Sequence, residues 1–132
     1  MDGGSFGDRV TMREAALEPT AEKGRWAVCN EATLAELEVL LGRDHLMQLL
    51  SLLIVEIRIR FRAGNDDRIA IGQDAHALLA SSGALGFVDL SRCCSAIAQA
   101  CLNGGDIDVP LQEGRVAAKR ALDALAVLGA YG

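Results

Sequence analysis

Ile71-Gly72-Gln73-Asp74-Ala75-His76-Ala77-Leu78-Leu79-Ala80-Ser81-Ser82-Gly83-Ala84-Leu85-Gly86 is the stretch on which the fold turns. Ile71, Ala75, Leu78, Ser82 and Leu85 recur at intervals of three and four, so they line one stripe of an α-helix. His76 follows Ala75 and is turned about 100° from that stripe, toward the solvent boundary. The residues sharing its face are Gly72, Gln73, Leu79, Ala80 and Gly83. Three of these five are Gly or Ala, which leaves the imidazole above a low platform that a second protein can approach closely. A glycine inside a helix costs roughly 0.5–1 kcal/mol relative to alanine, so Gly72 and Gly83 both want a reason.

Outward from this stretch the same period continues. Residues 43–62 repeat Leu46, Leu49, Leu50, Leu53, Ile57 and Phe61, which predicts a long helix. Leu52, Val55 and Ile59 widen its apolar surface and predict neighbours on two sides. The β-branched run Ile54, Val55, Ile57, Ile59 would suit a strand, but helical spacing on both sides of it argues for helix. Upstream, Asn30 can cap a short helix through Leu34, Leu37, Leu40 and Leu41 that Gly42 stops, and residues 11–17 can add a turn or two before Pro19. Gly64 and Asn65 punctuate the chain, with Asn65 or Asp66 as the next cap.

Downstream, Asp89 or Ser91 falls in the first turn of a helix carrying Leu90, Cys94, Ile97 and Cys101 inward. Asn103-Gly104-Gly105-Asp106 marks a turn, and Pro110 suits the first position of a last helix, where its missing amide would have had no partner. Leu111, Ala118, Leu122, Leu125 and Leu128 form that helix's buried face. The expectation is an all-α fold, an antiparallel four-helix bundle with one or two short N-terminal helices. The bundle occupies residues 31–132, after a partly flexible segment of residues 1–30 that opens with three glycines and two aspartates among its first nine residues.

Composition narrows the function classes. A chain of 132 residues, 51% of them hydrophobic, supports one core and is short for two. Its 13 Lys plus Arg against 18 Asp plus Glu leave a formal charge of −5, a poor field for nucleic acid. No apolar run approaches a bilayer span and nothing near Met1 reads as a secretion signal, so the expected location is the cytoplasm, with no membrane partner. Cys29, Cys93, Cys94 and Cys101 form no Cys-x-x-Cys pair, and His45 and His76 stand at no zinc spacing from them; mostly buried, reduced thiols are expected, and no metal. His45 is flanked by Leu41 and Leu49 and reads as structural.

Ser81 and Ser82 lie on other helix faces than His76, so no acyl-transfer triad forms; Ser82 reads instead as a polar filler bonded back to a carbonyl one turn earlier. A lone accessible histidine can itself be the nucleophile, taking a phosphoryl group onto a ring nitrogen and giving it up again.

Over residues 34–128 the chain resembles the histidine-containing phosphotransfer domains of multistep two-component signalling. Their hallmark helix reads Ala-His-x-Leu-Lys-Gly-Ser-(Ser/Ala)-x-x-Leu-Gly, against Ala75-His76-Ala77-Leu78-Leu79-Ala80-Ser81-Ser82-Gly83-Ala84-Leu85-Gly86 here. Leu49-Leu50 through Phe61 is similar to the family's preceding helix, and Leu90, Cys94 and Ile97, followed by Gly105-Asp106, to its next helix and turn. The resemblance implies that His76 is the phosphoacceptor, supplied by an aspartyl phosphate on the receiver domain of a response regulator or hybrid kinase. It places Leu78 and Leu85 in the core and Gly86 at the helix end, and it assigns the Mg2+ to the receiver, leaving this chain without a cofactor.

Two positions depart from the pattern: Leu79 stands where the family usually has lysine, and Ala80 where it has glycine. Arg68 and Arg92 are the candidate replacement cations. No Gly-x-Gly-x-x-Gly or Walker-type lysine motif occurs, so the expected role is a phosphocarrier without a kinase domain, not an enzyme. The alternatives are a receiver-docking or inhibitory adaptor that does not transfer and, less favoured, a helical oligomerisation domain in which His76 is incidental. A buried ring at His76 would remove the basis for phosphotransfer.

Overall fold

The computed structural model describes residues 28–62 and 66–130. The described residues form five α-helices and no strand: α1 (Glu31–Leu41), α2 (Arg43–Arg60), α3 (Arg68–Ala84), α4 (Val88–Leu102) and α5 (Asp108–Val127). The possible helix at residues 11–17, most of the segment 1–30 expected to be partly flexible, and the Gly64-Asn65 punctuation lie outside the described residues. None of the described helices is long and apolar enough to cross a membrane.

Each helix starts and stops for a local reason. Asn30 caps α1 by accepting from the Thr33 amide at 3.2 Å, as its side chain suggests. α3 is capped by Asp67, not by Asn65 or Asp66; the Asp67 carboxylate accepts from the amides of Ile69 and Ala70, which lie two and three residues on. α2 ends at Arg60 with Phe61 as its cap, two residues short of the expected end. α5 begins at Asp108, so Pro110 sits in its third position, where an amide would still lack an intrahelical acceptor.

α3, α4 and α5 all end in the same way. A glycine in the left-handed region follows the helix: Gly86 at φ 83°, Gly104 at 70° and Gly129 at 89°. The next amide then reaches back to a carbonyl in the last turn, with Phe87 donating to Ser82, Gly105 to Ala100 and Ala130 to Leu125, at 2.8–3.0 Å.

Around the core α2 touches α3, α3 touches α4, α4 touches α5, and α5 returns to α2. Leu50, Leu53, Ile57, Leu78, Phe87, Leu90, Ile97 and Leu125 are all under 2% exposed, each contributing about 1.5–3 kcal/mol by burial. Of the expected α5 face, Ala118 and Leu125 are buried, and the rest of the buried surface is made by small residues not in that row. Gly114, Ala117, Ala118, Ala121 and Leu125 are buried, while Leu111, Leu122 and Leu128 are half-buried at its edges. Small residues bring α5 close: a Cβ on Gly114 would stand 2.7 Å from Ile97 Cδ1 and 3.2 Å from the Phe61 ring.

Leu52, Val55 and Ile59 do not make the second contact face expected of α2; they are 60, 39 and 53% exposed, and the broadening of the buried stripe comes from Ile54. In α1, Leu34 is buried and Leu37 half-buried, whereas Leu40 is exposed. Between helices, Arg60 bonds Glu56 on its own helix and Asp74 on α3, at 2.6 and 2.8 Å. Arg68 donates to the carbonyls of Ala100 and Gly105, closing the end of α4 against the start of α3.

Two glycines of like conformation allow a test of what α1 does. Gly86 carries α1 on its surface: its carbonyl accepts from the Asn30 amide at 2.8 Å, and a Cβ on it would meet Thr33 Cβ at 3.0 Å and the Asn30 carbonyl at 3.3 Å. Gly104 has the same left-handed backbone and nothing within 4 Å. Urea unfolding should therefore show Gly104→Ala costing about 1–2 kcal/mol from backbone strain alone, and Gly86→Ala costing about 2–4 kcal/mol because α1 must also move.

Candidate functional site

The expected core stripe of α3 is buried: Ile71, Ala75, Leu78 and Ser82. Ser82 lies at the centre of the molecule at 0% exposure, and its hydroxyl donates to the Leu78 carbonyl at 2.6 Å, so it carries no free polar atom into the core. His76, one position beyond Ala75, is exposed, and among the described residues its ring has no hydrogen bond or ion pair. The carboxylate nearest in sequence, Asp74, is held by Arg60 of α2.

Gly72 and Gly83, which flank His76, mark the seam between α3 and α4. A Cβ on Gly72 would stand 3.1 Å from Cys101 Cβ, and one on Gly83 would stand 3.2 Å from Ser91 Oγ. The two contacts run in opposite sequence directions, Gly72 with Cys101 and Gly83 with Ser91, so the helices are antiparallel. Ser91 Oγ also donates to the Leu79 carbonyl at 3.3 Å, stitching the seam opposite the His76 turn. The glycines thus have a packing reason in addition to keeping the face low. A leucine at Gly83, though on an exposed residue, would press on Ser91 and disturb α4 as well as any docking partner.

The other residues singled out from the sequence fall in different places. Gln73 and Ala80 are exposed beside His76. Leu79 is half-buried and packs against the core. Arg68 is engaged with the Ala100 and Gly105 carbonyls, two helical turns before His76, which puts it roughly 12 Å away along the axis and out of reach as a supporting cation. Arg92 is exposed near the start of α4 and has an interaction of its own. His45 is exposed in the first turn of α2.

Sequence reasoning missed Ser91 as a partner of this face, having read it only as a helix-start residue. The signal was present in Ser91, Ser95 and Ala98, small residues spaced four and three along α4 and all half-buried. Of these, Ser91 meets Gly83 across the seam, and Cys101, one turn further along α4 from Ala98, meets Gly72.

No group of three or more His, Cys, Asp or Glu that could hold a metal occurs among the described residues. Of the cysteines only Cys94 is buried; Cys29, Cys93 and Cys101 are half-buried, more open than expected. Burial pushes the Cys94 thiol up to about 12, with Cys93 adding to the effect. Burial, reinforced by Glu31, pushes Cys29 up to about 11. Cys93 is also raised, first by burial and then by Asp89 and Glu113.

Compared with protein-family models, with curated proteins and with solved structures, the chain matches none. Its functional reading therefore stands on its own residues.

The thiol environments set an order of reactivity. Iodoacetamide at pH 8 should leave Cys94 unmodified in the native protein and modify it in urea, read by peptide mass spectrometry. Because Cys29 ionises near 11, raising the pH from 8 to 9 should increase its native-state alkylation rate about tenfold, as its small thiolate fraction grows.

Proposed function

We propose that the chain is a phosphorelay intermediate of two-component signalling, an antiparallel four-helix bundle of α2 to α5 with α1 closing one end, in which His76 carries the phosphoryl group. The observation that carries this reading is an exposed imidazole, without a bonding partner among the described residues, on a helix face kept low by Gly72, Ala80 and Gly83. The resemblance of Ala75-His76 through Leu85-Gly86 to the phosphotransfer motif adds to it. The partner is the receiver domain of a response regulator or hybrid kinase, and the location is the cytoplasm.

The step this arrangement suits is an in-line exchange. A lone pair on one His76 ring nitrogen forms the N–P bond while the receiver's acyl phosphate P–O bond breaks, and the electron pair leaves with the receiver's carboxylate. The other ring nitrogen keeps its proton. A Mg2+ held by the receiver would supply the charge neutralisation for the moving phosphoryl group. This chain contributes an unencumbered nucleophile and a surface flat enough to let the receiver's phosphate approach. The reverse reaction passes the group to a second receiver by the same geometry.

A second reading is favoured by one residue. Leu79 is half-buried against the core where the resembled family carries lysine, so no ammonium at that position offsets the −1.5 to −2 charge of a bound phosphate. A docking or inhibitory adaptor, keeping the receiver-binding face without efficient transfer, would tolerate that loss.

One experiment separates the two. Phosphorylated receivers are mixed with wild type, His76→Ala and Leu79→Lys, and acid-labile, base-stable label is followed over time. Wild type should acquire label slowly, Leu79→Lys faster by roughly tenfold if the ammonium contributes about 1.4 kcal/mol, and His76→Ala not at all. Leu79→Lys should still fold, at a cost of about 1–2 kcal/mol, because its stem can cover the apolar surface that leucine covers now. Label persisting in His76→Ala overturns the site. Docking without labelling of wild type across a receiver panel establishes the adaptor.

A further inference from the structure

On the face formed by α2 and α5, a groove of about 460 Å3 combines an apolar floor with a cationic rim. Ile57 and Ala118 are buried at its base, with the half-buried Phe61 and Leu122 beside them. Arg58 stands on the α2 rim, and Arg115 and Lys119 on the α5 rim. Asp123 is the acid lining the groove, and it faces Lys119 at 3.3 Å in a pair whose side chains are 77 and 69% exposed, so it is weakly held. Arg58 already has a partner within the chain. Arg115 has no carboxylate within salt-bridge distance among the described residues.

The groove continues at Phe61 and Arg115 into a water-sized cleft of about 20 Å3, where Arg60 and Arg62 add two more guanidinium groups and Asp74 is already taken by Arg60. A chain with a formal charge of −5 thus brings five cations to one inter-helix trough. Arg60 is held by Glu56 and Asp74, Lys119 weakly by Asp123, and Arg58 has its own partner, so the positive excess lies at Arg115 and Arg62. Simple solvation does not need an apolar floor under such a rim, whereas an amphipathic partner does. The face is separate from the one bearing His76: α3 meets α4 through Gly72 and Gly83, the neighbours of His76, and meets α2 through Asp74.

We propose that the α2–α5 groove is a second docking surface, and that its occupant is an acidic amphipathic helix of a partner protein. The charge decides the occupant. The volume lies within the range of about 300–1,000 Å3 that holds a small ligand or a few side chains. A trough between two antiparallel helices, charged along both edges, matches a helix laid lengthwise, with apolar residues at i, i+3, i+4 and i+7 on Phe61 and Leu122. Asp or Glu on the helix's flanks would then meet Arg115 on one rim and Arg58 on the other, as charge-assisted hydrogen bonds. The surface works whether or not His76 carries phosphate, so the proposal is independent of the transfer reading.

The test is selection from a displayed library of amphipathic helices whose apolar stripe is fixed and whose flanking positions are randomised among Asp, Glu, Ser, Lys and Arg. Wild type should enrich sequences rich in Asp and Glu. The best synthetic peptide should bind in fluorescence anisotropy with an affinity that weakens at least tenfold in Arg115→Glu, is largely kept in Arg115→Lys, and is unchanged in His76→Ala. Both Arg115 and Lys119 are exposed, so charge reversal there leaves the core intact, and circular dichroism checks this. Enrichment without an acidic bias, or an acidic peptide whose binding ignores Arg115→Glu and Lys119→Glu, overturns the proposal. Peptide resonance shifts mapping to the α3–α4 face would reassign the occupant to the His76 surface and overturn it equally.

Discussion

The close approach of α3 and α4 governs the rest of the molecule. It is made by absent side chains: Gly72 lets α3 meet Cys101, and Gly83 lets it meet Ser91, at separations that leave little room for even a methyl group. Each glycine forfeits up to about 1 kcal/mol of helix propensity relative to alanine. The loss is offset by burying Leu78, Leu90, Cys94 and Ile97 completely on the inner side of the seam. With the α4 side of α3 so tightly closed and its α2 side held by the Arg60–Asp74 pair, the rotation of α3 about its own axis is fixed. That rotation turns His76 outward. The exposure of the imidazole is thus a consequence of how its flanking glycines pack, and the same two residues that seat the helix keep the ground around the ring low.

The turn after α3 extends this constraint to the N-terminal side. Gly86 adopts a left-handed conformation, Phe87 drops into the core at 0% exposure, and the Gly86 carbonyl receives the Asn30 amide. One residue thereby ends α3, sets the direction of α4 and anchors α1, whose Leu34 is its only buried side chain. At the opposite end of the helix pair Arg68 plays the corresponding part, spanning the last carbonyls of α4 and the turn beyond it. Its guanidinium gives the Ala100 carbonyl a second donor beside the Gly105 amide and gives the Gly105 carbonyl one, which is why it would be unavailable to a phosphate two turns along.

Much of this was readable from residue spacing, and the failures have physical causes. The three-and-four period marked Ile71, Ala75, Leu78 and Ser82 as inward and His76 as outward, because period reports the direction of each side chain and nothing more. The same logic failed for Leu52, Val55 and Ile59: apolarity shows that a residue could be buried, and none of the described helices covers them. On α5 the period marks Ala118 and Leu125 as buried, as they are, but Leu111, Leu122 and Leu128 lie at the edges and Gly114, Ala117 and Ala121 fill the remaining inner positions. Small residues signal proximity, which becomes visible only when the opposing helix is known. Ser91 was missed for that reason, since its role exists only in relation to Gly83 and the Leu79 carbonyl.

Leu79 brings the chemistry of the site back to packing. A lysine at this position would serve a phosphate and, by its stem, the surface; leucine serves only the surface, and it is half-buried against the core while its carbonyl holds Ser91. A phosphoryl group on His76 would therefore lack a cation from this position. With Arg68 committed elsewhere and Arg92 engaged in an interaction of its own, neutralisation would fall chiefly to the partner's side of the interface. Such a division would make the phosphorylated state depend on the complex: favoured while the receiver's metal is close, and poorly compensated once the proteins part. A carrier built this way would hand its group on quickly or return it, and would store it badly. The arginines of α2 and α5 cannot repair this deficit, because α3 meets α2 through Asp74, on the side away from the α4 seam that His76 borders. If the groove docks a partner as proposed, they would hold it near without touching the His76 face, and residence there would lengthen the time for which a receiver's metal remains available to His76.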